Sequence, residues 1–402
     1  MELTGIKHKI ESFAKSIYPE IVEIRRHLHR YPELSKQELQ TSEYITGLLQ
    51  KWQIPFRKGI AGYGILGEMA FKEPTGKVVA LRSDMDALPI FEQNEVPYKS
   101  TNKGVMHACG HDVHMASLLG VIRILKEIKE ELKGSVRLIF QPSEEQYPGG
   151  AIGMIREGVL ENPRPDVIIG QHVYPELEAG KIGLHGGFYM ASSDEIFITV
   201  KGKGGHAATP HQLVDPVLVV AHIIVALQQI VSRNANPTIP SVISFGRVLG
   251  DGRTNIIPDE ARLEGIMRTF DENWRDEMKK KVTSMAKGIA GSMGAECEVF
   301  IDKGYPAVYN DPQSTERFGK YAVEYLGPEN VTDLDQRMTS EDFSYYQQQI
   351  PGVFYRLGIM NKKKGINSNL HTSTFDVDET SLLTGMGTMA WITVKELLHS
   401  PQ

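Results

Sequence analysis

Cysteine is nearly absent from this chain: there are two in 402 residues, Cys109 and Cys297. So few thiols exclude a disulfide framework, and the lack of paired C-x-x-C segments excludes a structural zinc finger. Two cysteines far apart in sequence fit a reducing cytoplasm, which is the expected location. Long hydrophobic runs are missing too. The longest, 217–227, has His222 inside it and is expected to fall far short of a bilayer span, so no membrane partner is expected. The opening Met1-Glu2-Leu3-Thr4-Gly5-Ile6-Lys7-His8-Lys9 lacks an apolar stretch, so no signal peptide is expected. There is no block of basic residues, and 44 Lys+Arg against 50 Asp+Glu leave a formal charge of −6. That balance argues against a nucleic-acid partner. Repeats and low-complexity segments are absent. What remains, at 41% hydrophobic and 23% charged, is an ordinary globular chain with room for two domains.

Helical patterns cover 18–30 and 37–52, followed by strand patterns at 62–69 and 77–83. A long amphipathic helix is expected to reach about residue 132, where Gly134 stops it, before a strand at 135–140. A helix at 150–158 and a strand at 166–172 follow. Strands alternating with helices at this spacing predict an α/β sheet with a mostly parallel core. From Gly187 the texture changes. Strands at 194–202, 242–248, 261–269 and 296–301, with helices at 215–232 and 272–293, give a β-α-β-β-α-β order. That is the ferredoxin-like α+β arrangement. The chain then resumes its earlier character, with a helix at 314–325, a strand at 353–357 and a helix at 379–399. A module between two similar flanks suggests an insertion, so 1–186 and 304–402 are expected to form one discontinuous domain and 187–303 the inserted one.

The densest chemistry lies in His107-Ala108-Cys109-Gly110-His111-Asp112-Val113-His114. A lone thiol flanked by His and Asp, in a glycine-broken turn opening a helix, suits a reactive metal site. A buried thiol beside surface histidines is the plainer alternative. Other candidates gather where strands are expected to end: Asp84 and Asp86 close one, Glu144 and Glu145 lie just past the next, and His172 closes a third. Ligand sites in open α/β sheets lie outside the carboxyl ends of strands. Asp84 and Asp86 share one side of an extended segment, although a solvated strand end fits their spacing equally well. Adjacent glutamates repel near a pocket unless a cation compensates them, so one as ligand and one as general base is a sensible division; two exposed loop acids is the alternative. His172 and His371 each offer one imidazole that, alone, is more often structural. If Cys109, His111, Glu145, His172 and His371 all ligate, thiolate and carboxylate supply about −2 against about +4 from two divalent ions. A helix start also favours a thiolate at Cys109. Thiolate among imidazoles leans to zinc, cobalt or nickel, with carboxylates leaving manganese open.

Ser83-Asp84-Met85-Asp86-Ala87-Leu88-Pro89, the His107–His114 segment, Gln141-Pro142-Ser143-Glu144-Glu145 and Gly204-Gly205-His206-Ala207-Ala208-Thr209-Pro210-His211 resemble the di-metal aminoacylase/carboxypeptidase family. The match is closest to its amidohydrolase branch of hippurate, auxin-conjugate and N-acetyl-diaminopimelate hydrolases, and runs from Leu28-His29-Arg30 to the segment 369–375. The resemblance implies a di-metal catalytic domain, 1–186 with 304–402, and a lid that also dimerises, 187–303. It implies Cys109, His111, Glu145, His172 and His371 as ligands of two divalent metals, with Cys109 where most of the wider family has a bridging Asp. Asp86 matches the acid that orients the site, and Glu144 the general base. His206, Asn255 and Arg268 match lid residues that hold the substrate's carboxylate and oxyanion. Asp84 stands where other branches carry a metal-binding His, which leaves its own role open. The implied activity is hydrolysis of small-molecule N-acyl amino acids by a homodimer or higher homo-oligomer. In it, Glu144 takes a proton from a water activated by the metals and passes it to the leaving amine. A dipeptidase or carboxypeptidase of the same family is the nearest rival, and a silent metal- or peptide-binding homologue another; a zinc deaminase lacks its H-x-E and P-C-x-x-C. Met338-Thr339-Ser340-Glu341-Asp342-Phe343 also resembles a family segment, without an assigned role.

Overall fold

Two short runs, Val78–Asp84 and Ser135–Gln141, are buried at every position, as strands covered on both faces must be. In the computed structural model, which describes residues 3–74 and 76–399, they lie side by side and parallel at the centre of an eight-stranded sheet. From one edge the strand order is Phe56–Ile60, Gly64–Ala70, Ser135–Gln141, Val78–Asp84, Val167–Glu178, Gly352–Met360, Ile182–Leu184, Val331–Asp333. The four strands from Ser135–Gln141 to Gly352–Met360 in that order are mutually parallel, so their carboxyl ends share one edge. The sheet belongs to a unit made of Met1–Gly187, Tyr309–Asp335 and Asp342–Gln402. Within it the helices Leu3–Arg30, His111–Glu127 and Ser381–Leu397 pack on one another.

Phe188–Val308 and Gln336–Glu341 form the second unit. Its sheet is antiparallel throughout, ordered Ser241–Leu249, Glu260–Thr269, Asp194–Lys201, Glu296–Lys303. With helices Pro216–Gln229 and Glu272–Ser292 placed between strands, this is the ferredoxin-like arrangement that the sequence pattern implies. Ile196, Ile198 and Val200 from the sheet share a core with Val219, Ile223 and Leu227 of one helix and Met278, Val282 and Ala286 of the other. Asp215 starts the first helix, its carboxylate accepting from Val217 N–H at 2.9 Å ahead of a first-turn proline. Asp271 caps the second through Trp274 N–H at 2.7 Å. Such caps contribute about 1 kcal/mol each.

Several expectations need correction. The first helix begins at Leu3, because Ile6, Ile10, Ala14 and Ile17 continue the buried stripe through Pro19. The strand Phe56–Ile60 was not foreseen; it forms an antiparallel edge pair with Gly64–Ala70 beside the mostly parallel core that the sequence implies. The helix from His111 ends at Glu127 and is buried on nearly all sides up to Leu125, so it is a core helix and not an amphipathic one. His172 does not close its strand, which continues to Glu178 because Gly352–Met360 pairs along it, with a bulge opposite the segment containing Pro175. Finally, Pro216–Asn234 is a helix long and apolar enough, by length and composition, to cross a membrane. Its Val219, Val220, Ile223, Leu227 and Ile230 are nonetheless buried in the core of the second unit.

Candidate active site

Parallel register brings the candidates together. Asp84 pairs with Gln141, and Arg82 opposes Gly170, so continuing two residues sets Asp84 level with His172. Cys109 precedes Gly110, which starts the helix His111–Glu127. Cys109, His111 and His172 offer ligand atoms within 4.8 Å of one another, as do Cys109, Glu145 and His371. The two groups share Cys109. His371 is exposed over about half its side chain and has φ 61°, with its N–H donating to Ala108 O at 2.8 Å and its Nε2 3.3 Å from Glu145 Oε1. All five sequence-selected ligands therefore converge within the first unit, with Glu144 beside His111 and Glu145.

The donor chemistry fits cations. His111 Nδ1–H donates to the Asp86 carbonyl at 2.8 Å and His172 Nδ1–H to the Val173 carbonyl at 2.8 Å, which leaves both Nε2 atoms facing inward. His111 Nε2 and Glu145 Oε1 are buried with no hydrogen-bond partner among the described residues. Burial opposes a charged His111, but Asp84, Asp86 and Glu145 overcome it and raise its pKa to about 10. A metal ion held between these carboxylates would take the place of that proton. Burial, and then Arg356, push His172 well below the ordinary histidine value, toward the neutral form that ligates. Around Cys109 the surroundings oppose the helix start: burial, then Glu145 and Glu144, hold its pKa well above the usual thiol value, and a cation beside it would favour the thiolate.

Asp86 ties the site together. Its Oδ2 accepts from Ser35 Oγ–H at 2.6 Å and Glu145 N–H at 2.9 Å, while Oδ1 lies 3.4 Å from His111 Nδ1. Behind the glutamate pair, Glu38 accepts from Ser143 N–H at 2.7 Å and from its hydroxyl at 3.1 Å, which fixes a residue with φ 57°. Burial and the neighbouring Asp86 raise the Glu38 pKa to about 6. Sequence reasoning missed Ser35, Glu38, Arg82 and His114. Two of them carried a signal: an arginine inside the apolar run 78–82 must find a buried partner, and His114 sits one helical turn from His111.

His206, Asn255 and Arg268 lie in the second unit. His206 is exposed on a two-stranded ribbon, Gly205–His206 with Ile256–Ile257, and Ala207 N–H donates to Asn255 O at 3.0 Å, so His206 and Asn255 are neighbours. Arg268 is on the strand Glu260–Thr269, and its Nη1 is buried without a hydrogen-bond partner among the described residues.

Gly110 is required twice over. Its φ is +80°, and a Cβ there would meet Val173 Cγ2 at 2.4 Å. Gly110→Ala is expected to destabilise the metal-free chain by about 3 kcal/mol, combining backbone strain with overpacking. A urea midpoint equal to that of wild type would contradict this packing.

The model of peptidase family M20/M25/M40 matches residues 80–393. Thermostable carboxypeptidase 1 of Saccharolobus solfataricus is 38% identical over 390 residues, 96% of this chain and 98% of that protein. An N-acyl-L-amino acid amidohydrolase of Geobacillus stearothermophilus is 39% identical over 317 residues, 79% of this chain and 85% of that one. Among solved structures, the Bacillus subtilis YXEP protein, a dinuclear metal binding peptidase, superposes with a TM-score of 0.83 at 34% identity, covering 96% of this chain and 99% of that one.

Proposed function

This chain is a member of peptidase family M20/M25/M40, and from that premise we propose that it is a dinuclear metal amidohydrolase that cleaves N-acyl amino acids into a carboxylate and a free amino acid. The carrying observation is the pair of ligand groups sharing Cys109, with Glu144 at their edge. Cys109, His111, Glu145, His172 and His371 would hold two divalent ions of zinc, manganese, cobalt or nickel. When bound, such ions supply Lewis acidity that polarises an amide carbonyl and acidifies a water. Glu144 takes that water's proton, and the hydroxide so formed attacks the amide carbon. As the tetrahedral intermediate collapses, Glu144 delivers the proton to the leaving nitrogen. Asp86 keeps the His111 ring and the Glu145 backbone in place. His206 and Asn255 donate to the developing oxyanion and to the substrate, and Arg268 clamps the amino-acid carboxylate with the planar fork that lysine lacks.

We further propose a homodimer. The second unit leaves Val217, Leu218 and Val225 of one helix, and Val248 and Leu249 of an edge strand, exposed, Val225 by 74%. Both cysteines are unpaired, which suits a reducing, cytoplasmic setting.

Hydrolysis of a panel of N-acetyl, N-benzoyl and dipeptide substrates by the metal-reconstituted chain tests the activity. Preference for the acylated amino acids supports the proposal, whereas preference for dipeptides favours the second reading, a carboxypeptidase or dipeptidase, which the Saccharolobus relative motivates. Metal dependence is a separate expectation. The purified chain should carry up to two transition-metal ions and lose activity to a chelator; full activity in a chain shown to be metal-free would refute the metal mechanism.

A further inference from the structure

Asp84 and His114 stand among the metal-site residues, and Asp84 Oδ2 lies 3.8 Å from His111 Nε2, yet the side-chain hydrogen bonds they make run to other partners. Asp84 Oδ1 accepts from His114 Nδ1–H at 2.6 Å, and Asp84 Oδ2 accepts from Arg82 Nη1–H at 2.6 Å. His114 Nε2 in turn accepts from Val173 N–H at 2.9 Å. A neutral imidazole has one donor and one acceptor, and both are spent here. Although Asp84, His111 and His114 offer ligand atoms within 4.8 Å of one another, His114 has no lone pair left to give.

Val173 is the next link. Its carbonyl accepts from His172 Nδ1–H at 2.8 Å, the bond that turns His172 Nε2 toward Cys109 Sγ, 3.4 Å away. The Val173 side chain sits over Gly110, where a Cβ would collide with it at 2.4 Å. The far end is anchored as well: Arg82 donates through Nη2 to Asp342 Oδ1 at 2.8 Å and through Nε to Gln141 Oε1 at 2.9 Å, and Gln141 Nε2–H donates to Asp342 Oδ2 at 2.8 Å. Arg82, Asp84, His114, Gln141 and Asp342 are all 2% exposed or less. Removing one partner from a buried ionic chain leaves an uncompensated charge, so the chain holds a single geometry.

We propose that Arg82, Asp84 and His114 form a buried strut that positions His172 through the backbone of Val173, and that Asp84 is a positioning residue and not a metal ligand. The strut rests on the metal-site reading given under Proposed function, and the test separates the two. The purified chain is stripped of metal and titrated with cobalt(II), followed by visible absorption, with wild type beside Asp84→Asn, His114→Leu and His172→Ala. Wild type and Asp84→Asn are both expected to take two cobalt ions per chain. The weaker binding step should loosen by about 10–100-fold in Asp84→Asn and in His114→Leu, the range for residues that orient a ligand. His114→Gln, which keeps one donor and one acceptor, should recover most of that loss. Adding Asp84→Asn or His114→Leu to His172→Ala should cost no further affinity, because the ring that the strut holds is gone. If His114→Leu does not fold, the isosteric Asp84→Asn carries the same comparison. One cobalt per chain in Asp84→Asn would make Asp84 a ligand and overturn the strut. Losses that add in the double variants, or single variants that bind as wild type does, would overturn it as well while leaving the metal site intact. A wild-type chain that binds no cobalt would instead remove the metal site, and the strut with it.

Discussion

Replacing Glu144 with alanine is expected to lower kcat by about 10²–10⁴-fold, the usual contribution of a general base, while the chain keeps its metal. Neighbouring residues point in different directions, and the two glutamates have different surroundings. Glu145 Oε1 lies 3.3 Å from His371 Nε2 and 3.8 Å from His111 Nε2, and it joins Cys109 and His371 in one ligand group. Glu144 clusters with His111 and Glu145, and does not enter the groups that contain Cys109. Its backbone follows Ser143, whose positive φ is held by Glu38, so the side chain is presented from a fixed turn. Glu145→Ala should therefore release metal, and Cys109→Ala should weaken both ions at once, because both groups include its sulfur. Metal per chain by elemental analysis, measured beside kcat, decides the matter. An emptied site in Glu144→Ala with normal occupancy in Glu145→Ala would reverse the two assignments.

Why these residues were legible in sequence, and their supports were not, follows from how each is encoded. Parallel strands in an α/β sheet deliver their ends to one edge, so Asp84, Asp86, Glu144 and Glu145 could be grouped from strand spacing alone. The five candidate ligand residues then converge in one unit. The ferredoxin-like module was equally visible, because its β-α-β-β-α-β order lies in one continuous stretch with clear changes of period. Supports are different, because they depend on pairings between distant segments. Ser35 reaches Asp86 across 51 positions, and Arg82 reaches Asp342 across 260. No local pattern records such pairings. The end of the His172 strand was misjudged for a related reason. Pro175 is a local stop signal, but pairing with Gly352–Met360 carries the strand past it to Glu178. At Cys109 the local rule covers only part of the environment: the helix start favours a thiolate, while burial and two nearby glutamates, which come from distant segments, oppose it.

Mixing His206→Ala chains with Glu144→Ala chains, each inactive alone, is expected to restore about a quarter of wild-type activity per total site. His206 is exposed on its ribbon, and Gly204 beside it has no room for a side chain, since a Cβ would lie 2.5 Å from Ile257 O. The ribbon is thus a tight, fixed platform that presents His206 outward. The family resemblance implies that this histidine completes the site of the other subunit, and the proposal adopts that arrangement for this chain. Random re-association makes half of the dimers mixed. In a mixed dimer, the His206→Ala chain still supplies Glu144 and receives His206 from its partner, so one of its two sites is whole. The other site lacks its base and stays silent. Half of the sites in half of the dimers gives the quarter, provided that sites act independently. If His206 instead served its own chain, every site in every dimer would lack one of the two residues, and mixing would restore nothing. Subunit exchange is verified first with differently tagged chains, so an absent recovery after confirmed exchange would place His206 in its own chain's site.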